Sequence, residues 1–362
     1  MSNRVLMKGN EAFAEAAVQA GCKYFFGYPI TPQNEIPEYM SKRLPEVGGV
    51  YLQAESEVAG INMIFGAAGT GFRTLISSSS PGISLMSEGI SYIAAAELPC
   101  VIINVMRGGP GLGGILPAQS DYFQATKGGG HGDYRLLVLA PGSLQEATEF
   151  IMMAFDLTEF YRNPVMILTD GFMGQMMEAV EFKKVKLGYD IPDVKEWAVG
   201  YMAQRGKRTL LKSLSLDPEV LEQHNQKLQK KYRLMEEKEV RFESANVDDA
   251  EIVIAAYGTT ARIAKSAVKK LRDQGIKAGI IRPQSLYPFP YKPFSELPES
   301  VKHVLVVEMS CGQMVEDVEL GVSRKVPVSF YGRCGGMAPS VEEIEQAAKK
   351  ALGSTIGGDN NA

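Results

Sequence analysis

The chain has 362 residues, of which 45% are hydrophobic and 22% charged, and its net charge is −4. That length carries two domains with sizeable cores, and the composition is that of an ordinary globular protein. The charge offers no nucleic-acid surface, no apolar run approaches the ~18 residues of a membrane span, and "MSNRVLMKGNEAF" lacks a signal peptide's apolar core, so the expectation is a cytoplasmic chain with neither nucleic acid nor membrane as partner.

The first half alternates helical and β-rich runs. "GNEAFAEAAVQAG" reads as a helix, and "CKYFFGYPI" and "GGVYLQAE" as strands that end in loops. "RTLISSSS", "LPCVIINVMR", "DYRLLVLAPGS" and "NPVMILTDGF" continue the strand series, and "SLQEATEFIMMAFDLTEFY" is a further helix. Such alternation implies an α/β fold with a parallel sheet covered on both faces. Parallel sheets bind ligands beyond the carboxyl ends of their strands. The loops after "GYPI", "VYLQAE", "ISSSS" and "NVMR" are therefore the candidate site.

From about Glu181 to Val247 the texture changes to an irregular stretch and a charged helical run, "DPEVLEQHNQKLQKKYRLMEEKEVRFES", whose charges read as a solvated face. A second α/β unit follows. "AEIVIAAYGTT", "ARIAKSAVKKLRDQG", "IKAGIIRPQSLYPFP", "VKHVLVVEMSCGQM" and "VPVSFYGRCGG" read as strand, helix and three further strands.

Several residues carry chemical weight. Cys22, Cys100, Cys311 and Cys334 are far apart in the chain and form no C-x-x-C pair, which argues against zinc, an iron–sulfur cluster or a disulfide framework in this chain alone. "NVMRGGPGLGG" contains G-x-G-x-x-G at Gly109, Gly111 and Gly114. A dinucleotide fingerprint needs a helix opening at the third glycine, and the sequence that follows is broken by Pro117 and a run of glycines. A close-approach loop beside Arg107 is the better reading. Arg107 ends an apolar strand, where a guanidinium is costly without an anionic partner. Either a ligand carboxylate or phosphate, or a structural ion pair with Asp121 or Asp133, would supply one.

In "YPITP", Pro29 and Pro32 stiffen the turn that carries Ile30 and Thr31. "SSSSPG" offers hydroxyls and a glycine ahead of a helical run, to cap it or to bind an anion, with capping the better reading. His131, in "GGGHGD", stands in a flexible loop on the presumed active face. Glu57 stands before a run without charge from Val58 to Phe72. It is either a first-turn acid that favours the helix dipole or a buried carboxylate that exchanges a proton with a polar heterocycle.

Together "YPITP", "ESEVAG", "SSSSPG", "AELPCVIINVMRGGPGLG" and "DYFQATKGGGHGDYRLLVLAP" resemble the alpha subunit of the 2-oxoacid:ferredoxin oxidoreductases. The resemblance covers nearly the whole chain. "GYPITPQNEIPEYM" and "ATKGGGHGDYR" are most like the 3-methyl-2-oxobutanoate (2-ketoisovalerate) branch, and the 2-oxoglutarate branch is the near relative. The resemblance implies a thiamine diphosphate pyrimidine-binding-type domain at 1–185 and a connector with a charged helix at 186–247. A transketolase C-terminal-like domain at 248–355 and a tail at 356–362 complete it.

It also implies that Glu57 bonds N1′ of the aminopyrimidine and shares a proton with it. Pro29 and Ile30 would line the cofactor, and Thr31 and Arg107 would bind the substrate carboxylate. The family's Mg²⁺–diphosphate motif is "GDG" with a downstream asparagine, and this chain has only "TDG" at 169–171. That half of the site is therefore expected from a beta subunit. Iron–sulfur clusters are expected on gamma and ferredoxin-like subunits, with ferredoxin and coenzyme A as further partners. The reaction expected is oxidative decarboxylation of a branched 2-oxo acid to acyl-CoA with ferredoxin reduction. Alternatives are the 2-oxoglutarate enzyme's alpha subunit and a non-catalytic scaffold subunit.

Overall fold

The computed structural model describes residues 4–324 and 326–356. Its main sheet has seven strands, in spatial order Ser285–Tyr287, Leu137–Leu139, Pro164–Asp170, Cys100–Met106, Thr74–Ser78, Tyr24–Gly27 and Val50–Gln53. The six from the first half of the chain are all parallel. They are the six read from sequence, because each is a short β-branched or aromatic run bounded by turn residues. The seventh, Ser285–Tyr287, arrives antiparallel from the second half of the chain and pairs with Leu137–Leu139.

The strand Cys100–Met106 is buried at every position, as expected where both faces are covered. Val101, Ile103 and Val105 pack against the helices Gly9–Gln19, Glu35–Glu46 and Leu144–Tyr161. Ile102 and Met106 face the helices Glu57–Gly69 and Ser80–Ala95 on the other side. A small antiparallel pair, Val5–Lys8 with Met177–Val180, closes one flank. Neither segment has enough alternation to announce itself as a strand.

The second sheet has the order Val328–Gly332, His303–Glu308, Ile252–Ala255, Ala278–Pro283 and Phe242–Ala245. The last is antiparallel and comes from the end of the charged run. One face carries the helices Gly258–Asp273 and Val341–Ile356. The other contributes Val253, Ala255, Ile281, Val304 and Val306 to the same hydrophobic cluster as Tyr122 and Met166 of the first unit. The two units therefore share a core. Buried Gln119 joins them, since its Oε1 accepts from Thr260 Oγ1 at 2.6 Å and its Nε2 donates to the Tyr257 carbonyl at 2.9 Å.

The charged run folds as the helix Pro218–Lys238, capped by Asp217 Oδ1, which accepts from the Glu219 and Val220 amides. It is not solvated all round. Leu228, Tyr232 and Met235, spaced along one stripe, are buried against the first unit.

Candidate active site

Four loops at the carboxyl ends of adjacent parallel strands build the site. They follow Tyr24–Gly27, Val50–Gln53, Thr74–Ser78 and Cys100–Met106, the loops singled out by the strand pattern. Close packing holds them together. Ser77 Oγ donates to Oε1 of buried Gln33 at 2.6 Å, and the Gln33 amide donates to the Ile30 carbonyl at 3.0 Å, closing the turn. Pro29 is exposed on this turn, and Ile30 and Thr31 are half-buried.

Arg107 is only 6% exposed. Its Nη1 donates to the Thr31 carbonyl at 3.0 Å and its Nη2 to the Leu112 carbonyl at 2.9 Å. Nε is buried without a hydrogen-bond partner. Among the described residues no carboxylate lies within ion-pair distance of it, so neither Asp121 nor Asp133 is its counter-ion. Asp121 instead accepts from Ser80 Oγ at 2.6 Å and Asn104 Nδ2 at 2.9 Å. Burial pushes its carboxyl above the ordinary range, against the pull of those two donors. A buried guanidinium held only by carbonyl dipoles is short of negative charge.

Glu57 opens the helix Glu57–Gly69 behind the N-cap Ser56, whose Oγ accepts from the Ala59 amide at 3.2 Å. Ser56 meets the capping requirement that a first-turn acid would otherwise share. The Glu57 side chain is 5% exposed. It lies over the first turn of the helix Ser80–Ala95, and a methyl group placed on Gly82 would sit 2.5 Å from Glu57 Oε1 and 2.0 Å from Ser78 Oγ. Any side chain there would evict the carboxylate. The same turn touches Arg107, since Ser80 Oγ accepts from the Arg107 amide at 3.1 Å. One helix start thus touches both the Glu57 carboxylate and the Arg107 backbone.

The serines do not cap as expected. Ser79 is at the N-cap position of Ser80–Ala95 but makes no capping hydrogen bond, and Ser78 Oγ and Ser79 Oγ are both buried without partners. Two orphan hydroxyls, an orphan guanidinium nitrogen and a sequestered carboxylate suit a polar ligand that enters between them. Sequence reasoning passed over Gly82 and Gln33. Each lies in a quoted motif, but the space and the bond they supply come from other loops.

Other residues sit elsewhere. Gly114 opens no helix, and the next one, Tyr122–Thr126, spans five residues, so the glycine pattern is a loop. His131 is exposed, and its carbonyl accepts from Ser91 Oγ at 2.5 Å. Ser91 is nine residues beyond Gly82 on the same helix, which places the contact about 13 Å along the axis from Glu57's pocket. His131 is not part of the site. In "TDG", fully buried Asp170 caps the helix Gly171–Gln175 by accepting from the Phe172 and Met173 amides.

The sequence model described as pyruvate flavodoxin/ferredoxin oxidoreductase, thiamine diphosphate-binding, matches residues 15–245. That described as pyruvate:ferredoxin oxidoreductase core domain II matches 250–344. The chain is 47% identical over 350 residues to the ketoisovalerate oxidoreductase subunit VorB of Methanothermobacter thermautotrophicus, covering 97% of this chain and 98% of that one. It is 36% identical over 367 residues to the 2-oxoglutarate synthase subunit KorA of Methanocaldococcus jannaschii, covering 94% and 98%. Among solved structures, the 2-oxoglutarate:ferredoxin oxidoreductase from Magnetococcus marinus, with 2-oxoglutarate, coenzyme A and succinyl-CoA bound, superposes with a TM-score of 0.84 at 25% identity. That match spans 97% of this chain and 66% of the other. A split-gene transketolase shares the fold alone, with a TM-score of 0.60 at 16% identity over 96% of this chain and 98% of that one.

Proposed function

This chain belongs to the pyruvate flavodoxin/ferredoxin oxidoreductase family, and from that premise we propose that its four-loop site holds the aminopyrimidine half of thiamine diphosphate. The enzyme is a 2-oxoacid:ferredoxin oxidoreductase, and its substrates are 3-methyl-2-oxobutanoate and related branched 2-oxo acids. The products are acyl-CoA, CO₂ and reduced ferredoxin. The observation that carries this reading is Arg107, a buried guanidinium without a counter-ion at the same strand ends as the buried Glu57.

When bound, thiamine diphosphate supplies a nucleophilic carbon and an electron sink for decarboxylation. The chain's own residues bind and orient. Glu57, kept from water and given room by Gly82, holds a proton at N1′. Arg107 takes the carboxylate of the 2-oxo acid, with Thr31 beside it. Pro29 and Ile30 wall the cofactor side of the turn.

We assign the diphosphate and Mg²⁺ to a beta subunit, because the carboxylate of "TDG" is spent on two backbone amides. Iron–sulfur clusters belong to gamma and ferredoxin-like subunits. Burial pushes the Cys22 and Cys100 thiols up to about 12, which leaves them protonated and unsuited as ligands. The beta subunit covers the apolar rim of the site, where Val58, Leu85, Leu112 and Ile115 are exposed. No helix among the described residues is long and apolar enough to cross a membrane.

The branched substrate follows the 47% identity to a ketoisovalerate oxidoreductase subunit, against 36% to 2-oxoglutarate synthase subunits. Initial rates of coenzyme A-dependent ferredoxin reduction by the assembled enzyme, across a panel of 2-oxo acids, test it. Higher kcat/KM for 2-oxoglutarate than for 3-methyl-2-oxobutanoate would reject the assignment in favour of the second branch.

A further inference from the structure

Two of the cysteines that are remote in sequence meet in the fold. The parallel neighbours His303–Glu308 and Val328–Gly332 end in register, with Glu308 opposite Gly332. The Arg333 amide continues the pairing by donating to the Glu308 carbonyl at 3.2 Å. Cys311 and Cys334 follow these ends by three and two residues, and both are exposed. The Cys334 thiol lies near enough that its proximity and charge hold the Cys311 thiol above its ordinary value. The strands they follow lie about 4.8 Å apart, and a disulfide between their loops would need Cα atoms roughly 4.4–6.8 Å apart. The other two cysteines, Cys22 and Cys100, are buried.

The pair also touches the site described above. Cys334 opens a glycine turn in which Gly335 and Gly336 have φ of 66° and 98°. The turn closes with the Met337 amide on the Cys334 carbonyl at 3.3 Å. A methyl group on Gly336 would lie 2.5 Å from Leu116 Cβ, and one on Gly108 would lie 3.3 Å from the Gly335 carbonyl carbon and the Gly336 nitrogen. Gly108 and Leu116 bound the loop whose Leu112 carbonyl receives Arg107 Nη2. Their own bond, Gly108 amide to Leu116 carbonyl at 2.9 Å, forms its base, and the Gly114 amide bonds the Gly108 carbonyl at 2.8 Å.

We propose that Cys311 and Cys334 are a reversible dithiol–disulfide pair whose oxidation fixes the Cys334 turn against the loop 108–116. The oxidant is a peroxide. One sulfur attacks the peroxide and breaks its O–O bond, giving a sulfenic acid and one water. The second sulfur then displaces that oxygen as another water, and the S–S bond forms. The two thiol hydrogens leave in the waters, the sulfurs together lose two electrons, and the peroxide gains them. A dithiol reductant reverses the step by exchange.

The test uses the full chain, reduced and then treated with stoichiometric hydrogen peroxide. After alkylation and proteolysis, mass spectrometry should recover the Cys311 and Cys334 peptides joined within one chain. Titratable thiols in denaturant should fall from four to two and return on reduction. Amide hydrogen exchange at Gly108 and Gly114 should slow by about threefold or more on oxidation, and Cys311→Ser should abolish both the link and the slowing. Recovery of the two peptides unlinked or as sulfinic acids, or a link only between chains, would overturn the pair. An intramolecular link with unchanged exchange at Gly108 and Gly114 would overturn the coupling to the loop. Neither readout depends on the substrate assigned above.

Discussion

Arg107 reaches back 76 positions in sequence to Thr31 and donates Nη1 to its backbone carbonyl at 3.0 Å. Two strand ends are thereby joined through a guanidinium that still has unused donor capacity. The contact takes the carbonyl of Thr31 and leaves its hydroxyl, which accepts a hydrogen bond from Asn34 Nδ2 at 3.3 Å, half-exposed at the turn.

Arg107→Ala should raise KM for the 2-oxo acid by roughly tenfold to a hundredfold, the effect of losing a charge-assisted contact of about 1.5–3 kcal/mol. Global stability should change little, because no carboxylate is left unpaired. A structural ion pair would instead cost about 3–5 kcal/mol on removal of one partner. Steady-state kinetics and urea unfolding of the same variant separate the two cases, and an unchanged KM would return Arg107 to a structural role.

Glu57→Gln keeps the shape of the side chain and removes its ability to accept a proton. Turnover of the assembled enzyme should fall by about 10²-fold or more, with subunit assembly by gel filtration unaltered. Near-normal turnover would remove Glu57 from the chemistry.

Gly82→Ala tests the space around that carboxylate from the opposite wall. The added methyl meets both Glu57 Oε1 and Ser78 Oγ, so kcat should drop alongside a destabilisation of about 1–3 kcal/mol from overpacking. The companion Gly66→Ala, on the same helix as Glu57 but with open space at its Cβ, should leave kcat intact and should not destabilise the fold.

Arg282 fastens the second unit to the first. From the strand Ala278–Pro283 it makes paired bonds to Glu146 at 2.8 Å each and a bond from Nε to Glu243 at 2.9 Å, at 5% exposure. Arg282→Met should cost roughly 3–5 kcal/mol, because Glu146 would remain half-buried without its counter-ion. A loss below 1 kcal/mol in denaturant unfolding would show that the shared apolar core alone joins the units.

Lys231 gives a pH dependence. Burial pushes its ammonium down to about 8, even though Glu97 lies 3.5 Å away and opposes the shift. In the unfolded chain the same group keeps its proton to about 10.4. Between those values the unfolded state binds more protons, so stability rises with pH. From pH 8 to 10 the wild type should gain about 1–2 kcal/mol relative to Lys231→Met. Parallel unfolding midpoints for the two proteins across that window would contradict the shift.

The parallel strands and most helices were legible because their signals are local. "LPCVIINVMR" is apolar along its buried strand except at Asn104, and "ARIAKSAVKKLRDQG" repeats at a helix period. The edge pair Val5–Lys8 with Met177–Val180, and the strand Ser285–Tyr287 lent to the first sheet, were not. Their pairing is decided by partners more than a hundred residues away. The site divides in the same way. Arg107, Thr31 and Glu57 stood out because their residue types are costly or unusual where they occur. Gly82 and Gln33 did not, since a glycine before a helix and a glutamine after a turn are ordinary until another loop packs on them.

By itself the sequence determined the parallel strands and most helices, which strand ends carry polar groups, and that a guanidinium and a carboxylate stand among them. Those properties depend on the order of side chains along a few turns or pleats. Only the tertiary structure decided that Arg107 has no acid beside it, that Ser56 rather than Glu57 caps its helix, and that Cys311 meets Cys334. Each of these is a distance between loops, set by sheet order and register and by the packing of two units into one core.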